Sequence, residues 1–479
     1  MADILIEGGI VLTMNPEWKI FPNGAVAVEG DRIIDVGETD DLKKKYPAPK
    51  KVINAKDKLV MPGLVNTHTH LHHGFFKGMV PGNYGYGNGW MVRVGELYMK
   101  GQYTKERAYL SVMLSCGEAI RGGATSLLDC GPPPRFEETT AQAIADSGIR
   151  GIIGVRAQDV FGPPGFVGTK EDMELYGATT KENIDRIEGL IKKLNNTAEG
   201  RLGIWPCLFY MTNASDEMCT GCKELADKYE VGVCGHANVM RPMVEASIQG
   251  YGKTPIMRLY DNRALGPNVL LAHAAYMTGK DIMAIRETDT SLTHCVFTSM
   301  ILQYGSCIFG YFPEMLDMGI NIAIGTDAPT CCNHWDMVRA MNATFLVHKE
   351  TKFEHNLWPP KTAVEMATRN GAKALWMENE IGSLEPGKKA DIILFDLTRP
   401  EWVPVHRYNL IENLVLSASA DSVDTSIING KVVMEGRVIK TFDLDKIAAE
   451  VQKGAEAYLQ GSDFLGTEKP YPENMPPLW

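Results

Sequence analysis

The feature of this sequence that most constrains its fold is an alternation of short apolar segments with helical segments between residues 61 and 380. The apolar segments are almost continuously hydrophobic, which is typical of parallel strands that are buried on both faces. Amphipathic stretches such as TKERAYLSVMLSCGEAIRGG and TKENIDRIEGLIKKLNN separate several of them. The predicted strands are 64–70, 124–129, 150–155, 202–207, 231–236, 268–273, 291–294 and 321–327.

Eight strand–helix units in sequence predict an α/β fold, a (β/α)8 barrel of the TIM type. A doubly wound open sheet is the competing fold. Both ends of the chain are rich in short β segments and turns, with Asn429-Gly430 as a strong hairpin signal. We therefore expect a small β-sandwich domain made from both chain ends. The predicted division is 1–60 and 381–440 for the β-sandwich, 61–380 for the barrel, and 441–479 for a C-terminal helix and Pro-rich tail.

The net charge indicates which kind of partner to expect, and the cysteines indicate the cellular compartment. The formal net charge is −11, which disfavours nucleic acid and anionic membrane surfaces and leaves a small-molecule substrate as the expected partner. The N-terminus lacks the pattern of a signal peptide, and no apolar stretch approaches the roughly 20 residues of a transmembrane helix. Ten cysteines are scattered along the chain without a small disulfide framework. We therefore expect a cytoplasmic protein.

Histidine and aspartate residues fall at the carboxyl ends of the predicted strands. These ends converge on one mouth in a parallel barrel, so their side chains can reach a single point. Each residue alone is weak evidence, but several from different strands at the same structural position favour a shared site. The strand-end residues are His68, His70, His236, His273, His294 and Asp327.

These residue types suit a divalent metal. Residues two apart on a strand face the same side, so His68 and His70 can both point into the barrel. Imidazole and carboxylate groups bind zinc or iron and can leave a position for water. A bound ion of this kind lowers the pKa of its water toward about 7. Asp327 is then placed to orient that water and accept its proton.

The motifs MPGLVNTHTHLH, VLLAH, THC and IGTDAP, framed by the two β segments, resemble those of the amidohydrolase superfamily. The most similar branch contains the adenosylhomocysteine and guanine deaminases and the triazine hydrolases. The resemblance implies that His294 stabilises the attacking water or the developing oxyanion and that Asp327 is catalytic. It implies the metal ligands His68, His70, His236, His273 and Asp327.

The resemblance also bears on the number of metal ions and on assembly. Binuclear members of the superfamily usually carry a bridging lysine at the end of the fourth strand, whereas this stretch reads IWPCLFYMTN. One divalent ion is therefore expected, with Zn²⁺ favoured over Fe²⁺. Folds of this family commonly assemble, so we expect a homodimer or homotetramer.

One departure from the branch decides the predicted reaction. Its deaminases carry a proton-shuttling glutamate three residues after the fifth-strand histidine, and that position here is Val239. An amide, urea or carbamate carbonyl is already electrophilic and needs no protonated ring nitrogen. We therefore predict hydrolysis of a C–N bond in a small, largely apolar amide, urea or carbamate. The alternative is deamination or dechlorination of an N-heterocycle, with a water or His334 replacing the glutamate.

Further residues are candidates for contact with substrate. The wall after strand seven, HCVFTSMILQYG, is more apolar than the HNP-type run of the deaminases. Cys331 and Cys332 are interpreted as two small wall residues. A hypothesis of another class is a non-catalytic, amidohydrolase-like binding or assembly protein. The predicted substrate-binding residues are Asn238, Trp90, Thr298, Gln303 and His72.

Overall fold

The computed structural model of the chain describes residues 2–78, 103–160 and 179–460. Its central element is an eight-stranded sheet in which each strand pairs in parallel with its neighbours in sequence. Trp90 and the Pro-rich tail lie outside the described residues. The strands are β6 (Leu64–Thr69), β7 (Ala124–Asp129), β8 (Arg150–Arg156), β9 (Leu202–Tyr210), β10 (Val233–Ala237), β11 (Val269–His273), β12 (Ser291–His294) and β13 (Ile322–Ile324).

The two outer strands of this sheet approach each other at their carboxyl ends. Thr69 and Asp327 form a parallel bridge, and the amide N of Asp327 donates to the carbonyl of His68 at 2.8 Å. These contacts bring the first and eighth strands together, so the sheet is a nearly closed barrel. The predicted (β/α)8 barrel is confirmed.

Helices connect the strands and cover the outside of the barrel. The helix Thr180–Leu194 begins with a capping box in which Thr179 and Glu182 satisfy each other's backbone amides. None of the helices in the described ranges is long and apolar enough to cross a bilayer. The main helices are Thr39–Lys45, Lys105–Arg121, Glu137–Ser147, Thr180–Leu194, Asp216–Lys228, Arg241–Tyr251, Pro255–Asp261, Gly279–Glu287, Val296–Leu302, Phe312–Asp317, Met337–Lys352, Pro360–Met366, Arg369–Ala374 and Leu444–Gln460.

A second, mixed sheet joins the two ends of the chain. The strand Ile392–Asp396 from the C-terminal part pairs antiparallel with Lys58–Pro62 from the N-terminal part. The predicted β unit from both chain ends is thus present as one nine-stranded sheet, and its domain boundaries stay a prediction. Its strands are β1 (Ile4–Leu12), β2 (Ile20–Glu29), β3 (Arg32–Glu38), β4 (Lys51–Asn54), β5 (Lys58–Pro62), β14 (Ile392–Asp396), β15 (Val423–Ile428), β16 (Lys431–Glu435) and β17 (Val438–Ile439).

A buried ion pair links the amino-terminal end of the barrel to this second sheet. Arg150, the first residue of β8, donates from Nε and Nη2 to the two carboxylate oxygens of Asp391 at 2.8 and 3.1 Å. Its Nη2 also donates to Oδ1 of Asn429 at 2.9 Å, and its Nη1 donates to the carbonyl of Gly200 at 3.1 Å. Both charged side chains are almost fully buried, and the paired Asp391 carboxylate contributes to raising the pKa of Arg150.

Candidate metal centre

Asp327 lies at the centre of the predicted ligand set. Nε2 of His68 and Nε2 of His70 lie 3.7 and 3.4 Å from its Oδ1. Nε2 of His273 lies 3.8 Å from the other oxygen, Oδ2. All four side chains are buried. The structure therefore brings the ends of the first, sixth and eighth strands together as the sequence predicts, and His273 faces a different carboxylate oxygen from the other two histidines.

His236 completes this group from the fifth strand. Its ring centroid lies 4.8 Å from that of His68 and 5.4 Å from that of His70. The rings of His236 and His70 are nearly parallel. Its Nδ1 donates to the carbonyl of Phe209 at 2.5 Å. This bond places the proton on Nδ1 and leaves the lone pair on Nε2, which is how protein backbones commonly orient a histidine ligand.

The protonation states of these groups fit a divalent cation. Burial lowers the pKa of His68, His70 and His273 well below the ordinary value, and lowers that of His236 to about 4. The imidazoles are therefore neutral, which is the form that binds metal. Nε2 of His68 and Nδ1 of His70 have no hydrogen-bond partner among the described residues. Burial also raises the pKa of Asp327 to about 6, so its carboxylate is ionised at neutral pH.

The backbone at the strand ends is strained in the same place. His273 and Asp327 have φ angles of 79° and 67°, in the left-handed region that non-glycine residues rarely adopt. Such a conformation costs about 1–3 kcal/mol and is concentrated at functional sites. The strain lies at the two residues whose side chains face each other through Oδ2, so it accompanies the alignment of this pair.

His294 is positioned differently from the other strand-end histidines. Its Nε2 lies 3.0 Å from Nε2 of His348, which belongs to the helix Met337–Lys352. Its ring stacks on Phe312 with the centroids 4.0 Å apart. One of the two facing nitrogens must carry the proton and donate to the other. His273, rather than His294, is the histidine that faces Oδ2 of Asp327. Sequence reasoning missed His348, because nothing in a helical segment signals a partner for a strand end.

The position of the missing glutamate lies in an apolar wall beside the ligands. Val239 is buried and packs in one cluster with Tyr210, Tyr304, Ala328 and Cys331. We refer to these five residues as the apolar wall. The ring of Tyr210 lies 5.1 Å from that of His236, and the ring of Tyr304 lies 5.0 Å from that of His273. The wall therefore lies against two of the predicted ligands, and one of its residues, Tyr304, comes from the stretch after strand seven.

His334, the residue suggested as a replacement for the glutamate, has other contacts. His334 packs edge-on against Phe297 with the centroids 4.5 Å apart, and its Nδ1 accepts from the amide N of Asp336 at 3.2 Å. Burial lowers the pKa of His334 to about 3, so its ring is neutral at physiological pH. Cys332 is buried and directs its thiol at the carbonyl of His334. None of these described contacts directs His334 to the metal ligands.

The predicted substrate-binding residues differ in their surroundings. Asn238 donates from Nδ2 to the carbonyl of Tyr276 at 2.9 Å, and its buried Oδ1 has no hydrogen-bond partner among the described residues. Thr298 is buried, and its hydroxyl offsets part of the rise that burial causes in the pKa of Asp327. Gln303 is solvent-exposed at the end of the helix Val296–Leu302. Asn238 and Thr298 are thus buried beside the site, whereas Gln303 is turned to solvent.

His72 and His73 are both buried, although a continuing strand would have placed only one of them inward. They lie in a 3-10 helix, Leu71–Phe76, in which adjacent side chains do not alternate as they do along a strand. Nδ1 of His73 lies 2.6 Å from the hydroxyl of Thr330. Nε2 of His72 lies 3.5 Å from Nη2 of Arg156.

Two further charged groups beside the site were not singled out from the sequence. The guanidinium of Arg156 lies over the ring of Phe209, 3.8 Å from its centroid. Asp129 accepts from the amide N of Leu71 at 2.8 Å, and burial raises its pKa to about 7. Both residues end barrel strands, the third and the second. The position at a strand end, which identified the histidines as candidates, therefore also applies to this arginine and aspartate.

Comparisons with known proteins agree with this geometry. The sequence model of the amidohydrolase family matches residues 59–433, and that of a bacterial imidazolonepropionase-like composite domain matches residues 24–48. The chain is 32% identical to a 5-methylthioadenosine/S-adenosylhomocysteine deaminase of Caldanaerobacter subterraneus subsp. tengcongensis over 96% of this chain and 99% of the relative. It is also 32% identical to a 5'-deoxyadenosine deaminase of Methanosarcina mazei over 95% and 98%.

Solved structures share the fold at lower identity. An adenosine deaminase from Xanthomonas campestris with bound zinc superimposes with a TM-score of 0.85 at 23% identity, over 96% of this chain and 99% of that one. An atrazine chlorohydrolase from Arthrobacter aurescens TC1 complexed with zinc gives a TM-score of 0.84 at 22% identity, over 94% and 100%. At this level of identity the likeness is one of fold.

Proposed function

We propose, from the premise that this chain belongs to the amidohydrolase family, that it hydrolyses the C–N bond of a small, largely apolar amide, urea or carbamate. The chain is a metal-dependent hydrolase by membership of that family. The observation that carries the choice of substrate class is the burial of Val239 in the apolar wall, where a ring-protonating deaminase needs an acid. The five side chains predicted as ligands lie close together, which supports a catalytic protein over the non-catalytic alternative.

We assign a single Zn²⁺ to the candidate centre. His68, His70 and His236 would bind it together with Oδ1 of Asp327. The first two lie 3.7 and 3.4 Å from that oxygen, and the ring of His236 lies 4.8 Å from that of His68. His273, which the resemblance counts as a ligand, faces Oδ2 instead. The ion supplies Lewis-acid activation of water and polarisation of a carbonyl oxygen when bound. The fourth strand, Leu202–Tyr210, contains no lysine to bridge a second ion.

The remaining residues divide the work of proton transfer and orientation. Oδ2 of Asp327 takes the proton of the attacking water and delivers it to the leaving amine. His273, 3.8 Å from that oxygen, donates to the oxyanion that develops on the substrate carbonyl. Phe209 fixes the tautomer of His236 through its carbonyl. This scheme uses one acid–base group, Asp327, and does not need a carboxylate at position 239.

The polar and apolar groups around the centre support a substrate with few polar atoms. The apolar wall excludes water from one side of the reacting carbonyl and offers mainly aromatic and aliphatic contact. The unpartnered Oδ1 of Asn238 can accept one hydrogen bond, which matches the N–H of an amide, urea or carbamate. Leaving such a buried acceptor without a partner costs about 1–3 kcal/mol, so binding of an N–H donor there is favoured.

A second candidate function rests on the relatives. Deaminases of adenosine derivatives match almost the whole chain at 32% identity, which favours hydrolytic deamination of an N-heterocycle. Dechlorination of a triazine is its variant, because an atrazine chlorohydrolase shares the fold. In either case another group would have to supply the ring proton. A general acid is typically worth about 10²- to 10⁴-fold in rate, so Val239 makes this the weaker candidate.

The test is product analysis on a mixed substrate panel with zinc-reconstituted protein. The panel holds aryl ureas, carbamates and anilides beside S-adenosylhomocysteine, 5'-deoxyadenosine, guanine and chloro- or aminotriazines, and mass spectrometry identifies the products. Amine release from the acyclic compounds is the expected result. Turnover confined to the heterocycles would overturn the proposed substrate class and favour the second candidate.

A pair of variants sharpens this test. Val239→Glu restores a carboxylate at the position that a ring deaminase uses, whereas Val239→Gln has the same size and cannot shuttle a proton. We expect the glutamate variant alone to gain turnover of heterocycles, and neither variant to gain turnover of acyclic substrates. A gain on acyclic substrates that is specific to the glutamate variant would contradict the assignment of the acid–base role to Asp327.

We also propose that the protein acts on its substrate as a homodimer or homotetramer in the cytoplasm, without nucleic acid or membrane as a partner. The net charge of −11 supports the absence of nucleic acid and of an anionic membrane as partners. Light scattering coupled to size-exclusion chromatography measures the mass directly, and a monomer of 52.8 kDa would contradict the oligomer.

A further inference from the structure

Three buried cysteines from different barrel strands meet beside the metal centre. Cys130 follows β7, Cys207 lies in β9 and Cys234 lies in β10. Their sulfur atoms lie within 4.8 Å of one another, and Sγ of Cys130 lies 3.6 Å from Sγ of Cys207. All three side chains have an exposed fraction of at most 1%. They therefore form a closed, sulfur-lined cluster inside the barrel, which we call the thiol cluster.

The neighbouring backbone leaves room for this cluster. Gly154 lies in β8, between the strands of Cys130 and Cys207. A Cβ atom at Gly154 would lie 2.6 Å from Sγ of Cys234 and 3.0 Å from Cβ of Cys207. Barrel interiors are normally filled by bulky branched side chains such as valine, isoleucine and leucine. A glycine facing three thiols is a different solution, with small polarisable groups in the interior layer.

The thiol cluster adjoins the metal centre through Cys130. Sγ of Cys130 lies 3.9 Å from Nδ1 of His236, but that nitrogen is committed to the carbonyl of Phe209. His236 can therefore serve the metal centre through Nε2. Sγ of Cys130 also lies within 4.8 Å of ring nitrogens of both His68 and His236, so Cys130 is the point at which the thiol cluster meets the metal centre. The geometry gives two adjacent groups of ligands of different character, one of nitrogen and oxygen atoms and one of sulfur atoms, which meet at Cys130.

We propose that Cys130, Cys207 and Cys234 form a second cation site, selective for a thiophilic d10 ion such as Zn²⁺, Cd²⁺ or Cu⁺. Thiolates select such soft ions over Mg²⁺ or Ca²⁺. With a metal–sulfur distance of about 2.3 Å, three sulfur atoms in a trigonal plane lie about 4.0 Å apart. Sγ of Cys130 and Sγ of Cys207 are 3.6 Å apart, and all three sulfur atoms lie within 4.8 Å of one another, so the thiol cluster is close to the spacing that such an ion needs.

Binding balances in protons and charge. The three thiols release three protons to solvent and form three metal–sulfur bonds, and no electrons are transferred. With a divalent ion the occupied site carries one negative charge. Arg156, which is the register partner of Cys207 on the adjacent strand and lies over Phe209, offsets this charge.

The experiment is a titration of the reduced, zinc-loaded full-length enzyme with Cd²⁺, followed by the ultraviolet sulfur-to-cadmium charge-transfer band. The expected result is a band that saturates at one equivalent and a Cd²⁺ affinity that falls at least tenfold in Cys207→Ser. Native mass spectrometry gives the stoichiometry independently. Zn²⁺ and Cu⁺ are then added as competitors to rank the ions.

Matched controls separate the thiol cluster from the other cysteines. Cys219→Ser with Cys222→Ser removes two buried thiols of the helix Asp216–Lys228, and Cys295→Ser removes the thiol grouped with His68 and Asp327. Neither change is expected to affect the band. A band that persists in Cys207→Ser, or that disappears in Cys295→Ser, would overturn the proposal, as would the absence of any band.

Two further measurements keep the test decisive if the serine variant does not fold. Cys130→Ala removes a ligand without adding a hydroxyl and should weaken Cd²⁺ binding in the same way. The double variant His68→Asn, His70→Asn removes two ligands of the metal centre and should keep the sulfur-to-cadmium charge-transfer band. Loss of the band in that folded double variant would show that Cd²⁺ binds through the metal centre, and the separate site would be refuted.

Discussion

The two ends of the barrel differ in whether their buried polar groups have hydrogen-bond partners. At the amino-terminal end, Arg150 donates from all three guanidinium nitrogens to Asp391, Asn429 and Gly200. At the carboxyl-terminal end, Nε2 of His68 and Oδ1 of Asn238 have no hydrogen-bond partner among the described residues. Buried polar groups are otherwise almost always paired in folded proteins.

The difference indicates what each end is for. A fully satisfied ion pair between the barrel and the second sheet fixes their relative position, whereas unsatisfied donors and acceptors in a buried cluster are prepared for ligands that the chain does not itself supply. In (β/α)8 barrels the active site lies at the carboxyl-terminal face and the opposite face serves stability. The comparison therefore predicts opposite consequences for removing a charge at either end.

Asp327→Asn is expected to have the largest effect on function. It removes the proposed acid–base group, so kcat/KM should fall by about 10²- to 10⁴-fold. The raised pKa of Asp327 means that its ionised form opposes folding at neutral pH in metal-free protein. The free energy of unfolding of metal-free Asp327→Asn should therefore not decrease. Denaturant titration and steady-state kinetics measure the two quantities, and a large loss of stability would contradict the contrast between the ends.

Asp391→Asn should show the reverse pattern. It leaves the buried guanidinium of Arg150 without a counter-charge, and breaking a buried pair in this way costs about 3–5 kcal/mol. The folded fraction should retain kcat/KM within a few-fold, because the pair lies at the end of the barrel away from the metal centre. Chemical denaturation gives the first value. A stability equal to that of the natural sequence would show that the pair does not hold the two sheets together.

His348→Leu tests whether the His294–His348 pair belongs to the structural or the catalytic group. The change leaves Nε2 of His294 buried without its partner, which costs about 1–3 kcal/mol of stability. If His273 rather than His294 acts on the oxyanion, kcat/KM should change by no more than about tenfold, the lower limit for losing a residue that orients a metal ligand. His348→Gln keeps a hydrogen-bonding group and serves as the control. A loss of 10²-fold or more in His348→Leu alone would return a catalytic role to His294.

The pH dependence of metal retention should be the smallest effect. Asp327 has a raised pKa of about 6 and must be ionised to bind the ion, while the pKa values of the histidine ligands are lowered, so these stay neutral. Zinc affinity should therefore be flat with respect to these groups above about pH 6 and fall up to about tenfold per pH unit below it. Equilibrium dialysis measures this, and a fall that begins near pH 8 would implicate another group.

The fold and the candidate ligands could be predicted from the sequence because both follow from local patterns. Strand–helix alternation predicts the barrel, and His68, His70, His236, His273 and Asp327 share one address at strand ends. The same address also held Asp129 and Arg156, which were not singled out, since a buried aspartate or arginine after a strand has no motif of its own.

What the sequence by itself determined is therefore the order of the elements, the pairing of the chain ends in one β unit, and the residue types at the mouth. Only the tertiary structure decided which atoms meet. The pairing of His294 with His348, the burial of both His72 and His73, and the convergence of the three thiols depend on register, barrel closure and helix packing. These contacts join residues far apart in the chain, and periodicity along one segment carries no information about them.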